Sequence, residues 1–160
     1  MRPFSIPQKR IGQQLLFGIG LGIIIAFLFN ILPLLVQGKL LGINHFPSKT
    51  ARGEAFYMFF FHFFVSAPVE ERIYRGYYQS RLKEATDSDF LSVILTTILF
   101  VLPHLLSREF SWNFIDITLV GLILSIVRWK CRNASMLVLG LAHAIDNFSL
   151  TLLSLYAIIV

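Results

Sequence analysis

The sequence predicts an all-α integral membrane protein: one domain over residues 1–160, a polytopic bundle of about five transmembrane helices. Three observations carry the prediction. Of the 160 residues 56% are hydrophobic, against roughly 45–50% in soluble domains, and the mean hydropathy is +0.70. The apolar residues gather into runs close to the ~20 needed to cross hydrocarbon, without the period-two alternation of strands. The basic residues fall between these runs, where they set topology rather than form a nucleic-acid surface. A net charge of +5 therefore points to the lipid bilayer as partner and not to nucleic acid. The single cysteine, Cys131, allows neither an internal disulfide nor a cysteine metal cluster, and reads as an inert thiol.

The first run, Ile11 to Val36, follows Arg2, Lys9 and Arg10 as a signal peptide would. It is too long for one and lacks a small-residue cleavage site, so it reads as a retained span. Gly38, Gly42, Asn44 and Pro47 then mark a loop that also holds His45. The phenylalanine-dense run from Ala55 to Pro68 leads directly into the polar segment Glu70 to Glu84. If the helix continues from Val69 to about Ala85, the second helix is unusually long, with its polar half buried against neighbours and Pro68 a place to kink. Phe56 to Phe64 read as lipid-facing bulk, and His62 as core or cavity lining. The third run extends from about Phe90 to Leu106, the fourth from about Trp112 to Val127, and the fifth from about Ala134 to the C-terminus. Gly121 and Ser125 form a small face suited to helix packing, and Asp116 reads as a helix-end residue.

Five crossings place Arg2, Lys9, Arg10, Arg72, Arg75, Arg81, Lys83, Arg128, Lys130 and Arg132 on one side, and only Lys39, Lys49, Arg52 and Arg108 on the other. The positive-inside rule then puts the N-terminus in the cytoplasm and the C-terminus outside.

Ionisable groups at membrane depth are costly and are functional candidates by default. Three clusters qualify: Glu70-Glu71-Arg72-Ile73-Tyr74-Arg75, Phe100-Val101-Leu102-Pro103-His104 and His143-Ala144-Ile145-Asp146-Asn147. On a helix Glu71 and Arg75 share a face and can form a structural ion pair, while Glu70 is rotated by about 100° onto another face. Glu70 is therefore the candidate base, with Glu71 able to assist in placing water. His143 and Asn147 are also one turn apart and can aim two donors at one oxygen, as an oxyanion site needs. Asp146 could instead accept a hydrogen bond from a histidine. At ~1.5 Å per residue, Glu70 lies about 24 Å, His104 about 21 Å and His143 about 14 Å from the cytoplasmic ends of their helices, depths that allow one layer.

These residues resemble the CAAX-protease and bacteriocin-processing (CPBP, or Abi) family of intramembrane proteases, which includes the CAAX prenyl endopeptidases. Glu70-Glu71-x-x-x-Arg75, followed by Gly76, is similar to the first family motif, with Tyr74 where phenylalanine is commoner. Phe100-x-x-x-His104 resembles the second and His143-x-x-x-Asn147 the third. The stretch from Gly121 to Phe148 resembles the family's glycine-rich helix, short basic turn and final motif helix, and the motif-bearing core covers about residues 56–150. The resemblance implies a multi-pass protein of the bacterial cell membrane. It also implies a glutamate-dependent endopeptidase in which Glu70 and His104 activate water, His143 and Asn147 stabilise the oxyanion, and Glu71, Arg75 and Tyr74 support them.

The implied substrate is a peptide or membrane-associated protein, with bacteriocin or pheromone maturation, or self-immunity, as the setting. No cofactor is expected. Zinc on Glu70, His104 and His143 is the metal alternative, disfavoured because the histidines come from separate helices without a His-x-x-x-His pair. The chain is short for the family, which leaves room for a second copy or a membrane partner to add helices. The alternative in another class is a non-enzymatic membrane immunity or scaffold protein that retains the motifs as polar packing.

Overall fold

The computed structural model describes residues 11–38, 51–107, 113–131 and 134–157; the regular structure among them is all helix, with two helices long and apolar enough to cross a membrane. Helix α1 (residues 11–37) carries the first of these spans, Ile11–Val36. Only 22% of its most apolar window is buried within the protein, so its isoleucine, leucine and phenylalanine side chains mostly face outward, as lipid contact requires and a soluble core would not. It ends at Gly38, whose left-handed φ of 65° suits a glycine, and whose N–H bonds Leu34 O at 2.9 Å.

Helix α2 (residues 51–86) runs without interruption through the polar segment, about 54 Å at 1.5 Å per residue. It contains two π-helical stretches, Phe61–Ser66 and Arg72–Tyr78. Where the sequence suggests a kink at Pro68, the first π stretch lies immediately upstream. Pro68 follows it as an early residue of the next α segment, where a missing N–H is tolerated. The polar half of α2 is buried selectively. Glu71, Arg75 and Gln79 are interior, whereas Arg72, Arg81, Lys83 and Glu84 stay at the surface. Helices α3 (Asp89–Ser107), α4 (Asn113–Lys130) and α5 (Met136–Ala157) follow. Arg2, Lys9, Arg10, Lys39, His45, Lys49, Arg108, Trp112 and Arg132 lie outside the described residues.

Contacts fix the directions. Gln14 meets Ser135, Gly18 meets Val138, Gly22 meets Ala142 and Asn30 meets Asp146, so α1 and α5 are parallel. His62 meets Thr151 and Glu71 meets His143, so α2 runs antiparallel to α5. Ile25, Val120, Leu124, Val138, Leu139 and Ala142 form the apolar core.

The α1–α5 seam depends on absent side chains. A Cβ on Gly22 would lie 2.9 Å from Ile145 Cβ and 3.0 Å from the Ala142 backbone, which cannot yield. Gly22→Leu is expected to destabilise the bundle by about 1–3 kcal/mol through overpacking. Gly20→Ala, which meets nothing within 4 Å, should be neutral or gain up to about 1 kcal/mol from helix propensity. Unfolding midpoints in mixed micelles compare the two, and equal effects would contradict the seam.

Candidate active site

Arg75 anchors the site. It is fully buried on α2 one turn after Glu71, and its Nη1 donates to Glu71 Oε1 at 2.9 Å. A guanidinium has further donors to satisfy, and α4 provides the acceptors. Nη2 reaches Gly121 O at 2.8 Å and Nε reaches Ser125 Oγ at 3.3 Å, while the Phe100 ring of α3 lies under the guanidinium carbon at 4.3 Å. Gly121 and Ser125 are thus more than a packing face, because they receive the buried cation. A Cβ on Gly121 would come within 2.8 Å of Phe100 and 3.4 Å of Arg75 Nη2. Gln79, one turn beyond Arg75, adds a bond from Nε2 to Ser125 O at 2.9 Å.

From α5, His143 enters opposite this pair. Its Nδ1 donates to Glu71 Oε1 at 2.8 Å, since an ionised carboxylate only accepts. That bond fixes the ring and turns Nε2 toward Glu70 Oε2, 3.9 Å away, beyond hydrogen-bond distance. The adjacent glutamates therefore occupy different environments. Glu71 is sealed in, taking Arg75 and His143 on one oxygen, with its other oxygen buried and unpartnered. Glu70 keeps 29% of its side chain exposed, and its Oε1 accepts from Ser66 Oγ at 2.7 Å.

Phe100 is the hub that joins α3 to the cluster. Its ring packs edge-on against Tyr74 at 5.2 Å and against His143 at 5.8 Å, and lies 5.1 Å from the His104 ring. His104 is half-buried one turn further along α3, and its Nδ1 donates to Phe100 O at 2.8 Å, which directs Nε2 away from its own helix. The layer that contains Glu71, Arg75 and His143 is thus level with Phe100, and His104 stands a turn beyond it.

Asn147 is half-buried one turn after His143 on α5, and its carbonyl accepts from Thr151 Oγ1 at 3.1 Å. Thr151 Oγ1 in turn meets His62 Nε2 at 3.2 Å, so His62 is a buried tie between α2 and α5. Among the described residues, Asp146 hydrogen-bonds to no histidine. Its Oδ1 accepts from Asn30 Nδ2 of α1 at 2.8 Å, and the same amide nitrogen reaches Ser149 Oγ at 2.8 Å. Asp116 stands in the first turn of α4, a helix-end residue as expected, and is buried there. Cys131 is a half-buried free thiol.

Sequence reasoning passed over Ser66, Asn30 and the roles of Phe100 and Gly121. Ser66 could have been found as the hydroxyl one helical turn before Glu70, and Phe100 as the aromatic one turn before His104. Among the described residues, no three His, Cys, Asp or Glu side chains converge as metal ligands.

The family described as type II CAAX prenyl endopeptidase Rce1-like matches residues 52–149, from the first turn of α2 to the middle of α5. No curated protein and no solved structure matches the chain.

Proposed function

The chain belongs to the Rce1-like type II CAAX prenyl endopeptidases, a membrane-embedded family of peptide hydrolases, and on that premise we propose that it cleaves a peptide bond with water activated by Glu70. The observation that carries this reading is the unequal treatment of two neighbouring carboxylates. Glu71 is buried and committed to Arg75 and His143, while Glu70 is half-exposed with Oε2 facing His143 Nε2 at 3.9 Å.

In this mechanism Glu70 takes a proton from water as the water oxygen bonds to the scissile carbonyl carbon. His104, on α3, assists in placing that water. The carbonyl electron pair moves onto oxygen, and the oxyanion is held by His143 Nε2–H and the Asn147 side-chain amide. Collapse breaks the C–N bond, and the amine leaves with the proton returned from Glu70. Glu71 acts as a positioning residue, since its bond to Nδ1 orients the His143 ring. With His143 carrying both ring protons, Glu70, Glu71, Arg75 and His143 sum to zero charge, which suits a group buried in hydrocarbon. Tyr74 supports the Phe100 hub. The reading assigns no metal, because His104 and His143 come from separate helices, α3 and α5, without a His-x-x-x-His pair.

The reading also places five crossings in the membrane, N-terminus in the cytoplasm and C-terminus outside. The parallel course of α1 and α5, and the exposed Arg81 and Lys83 in the last turns of α2, support that orientation.

The test is cleavage by purified, detergent-solubilised protein of two peptide classes, one ending in a prenylated cysteine motif and one an unprenylated secreted-peptide precursor. Each is run with wild type and Glu70→Gln, with and without a zinc chelator. Cleavage that survives the chelator but not the substitution supports the metal-free glutamate mechanism, and the preferred peptide identifies the substrate class. Loss with chelator alone assigns a metal. A wild type that cuts neither peptide, with Glu70→Gln still functional in cells, favours the scaffold or immunity reading.

A further inference from the structure

Many hydroxyls on these helices follow one habit. Ser80, Thr97, Thr118, Ser125 and Ser154 each donate back one turn to a main-chain carbonyl, the usual arrangement for serine and threonine within a helix. Ser66 departs from it. Its hydroxyl points forward along α2 and donates to Glu70 Oε1 at 2.7 Å. The hydroxyl sits at the end of the π stretch, where the N–H of Ala67 bonds His62 O, the wider i to i−5 spacing of a π turn. A π turn followed by proline is a costly place to put a helix in a membrane, and such bulges are frequent at functional sites.

We propose that Ser66 is a positioning residue for the reaction, holding Oε1 of Glu70 so that Oε2 alone is presented to water. This rests on Glu70 being the base. A glutamate side chain has three rotatable bonds, and the neighbouring charges leave it a choice of partners. His143 Nε2 lies 3.9 Å from Oε2, and Arg75 is held one turn away against Glu71. The hydrogen bond from Ser66 removes one carboxylate oxygen from the competition and fixes the rotamer. Glu71 needs no such help, because Arg75 and His143 clamp it already.

The experiment compares steady-state cleavage by wild type, Ser66→Ala, Ser66→Cys, Ser66→Thr and Glu70→Gln in detergent, with thermal midpoints measured alongside. Misplacement of a reacting group by about 1 Å costs on the order of 10²-fold. Ser66→Ala is therefore expected to lower kcat by about ten- to hundred-fold with KM and thermal midpoint unchanged. Ser66→Cys, which keeps the size but offers only a weak donor, should behave likewise even if alanine proves unstable. Ser66→Thr restores the hydroxyl and should return kcat to within about threefold of wild type. Wild-type kcat in Ser66→Ala or Ser66→Cys overturns the proposal, and so does equal impairment of the threonine variant, since packing and not the hydroxyl would then be what matters. An active Glu70→Gln would instead remove the base assignment on which the proposal stands.

Discussion

Glu70→Gln is expected to lower cleavage by about 10²–10⁴-fold, the usual contribution of a general base, while leaving the thermal midpoint within a degree or two. The fold should not notice the change. Glutamine is isosteric, its Oε1 can still accept from Ser66 Oγ, and the residue is half-exposed with no ion pair closer than 3.9 Å. What is lost is the basic oxygen facing His143, replaced by an amide that cannot take a proton. Glu70→Asp makes the same point through geometry, since it keeps the charge but withdraws the oxygens by one methylene. It should lose on the order of 10²-fold for a displacement of about 1 Å. Initial rates on the preferred peptide measure both. A glutamine variant that retains more than a tenth of wild-type cleavage would show that Glu70 is not the base.

The long second helix was legible because hydrophobicity and helical spacing tell one story there. The apolar half ends where Glu70 begins, yet Glu71, Arg75 and Gln79 recur every four residues, and that stripe is the one the structure buries. The Glu71–Arg75 pair follows from the same spacing. Hidden from the sequence was everything that depends on which helix faces which. Nothing in Gly121 or Ser125 says that they meet Arg75, and His143 binds Glu71 rather than Asp146 only because α5 crosses α2 at that height. Local departures from α geometry were hidden too. Two π stretches in α2 shift which side chains share a face, and no periodicity argument built on 3.6 residues per turn anticipates them.

The family match begins at residue 52, and so leaves out α1. That helix nevertheless holds the one that carries His143. Gly18 and Gly22 bring its backbone against Val138 and Ala142, Gln14 accepts from Ser135, and Asn30 spans Asp146 and Ser149. In lipid, where apolar contact offers little drive for association, close backbone approach and interhelical hydrogen bonds are the forces available. Polar ties stand on both sides of His143, one to α1 at Asp146 and one to α2 at Glu71. The position of its ring is therefore set by three helices and not by α5 alone.

Arg75→Leu is expected to be the most damaging single change to stability. Removing one partner of a buried ion pair leaves the other uncompensated, at a cost of about 3–5 kcal/mol. Here Glu71, fully buried, would keep only His143, and Gly121 O would lose its guanidinium donor. Arg75→Lys should not rescue it, because one ammonium cannot reach Glu71, Gly121 and Ser125 in the planar arrangement that the guanidinium supplies. The double variant Glu71→Leu with Arg75→Leu separates folding from function. Replacing a whole buried pair by apolar side chains is often neutral or stabilising, so the unfolding midpoint in mixed micelles should recover most of the loss. Cleavage should not recover, since His143 Nδ1 has then lost the acceptor that orients its ring. An Arg75→Leu protein within about 1 kcal/mol of wild type would mean that the pair is solvated in the membrane protein, and the sealed environment assigned to Glu71 would be wrong. A double variant that both folds and cleaves would leave Glu71 no part in positioning His143.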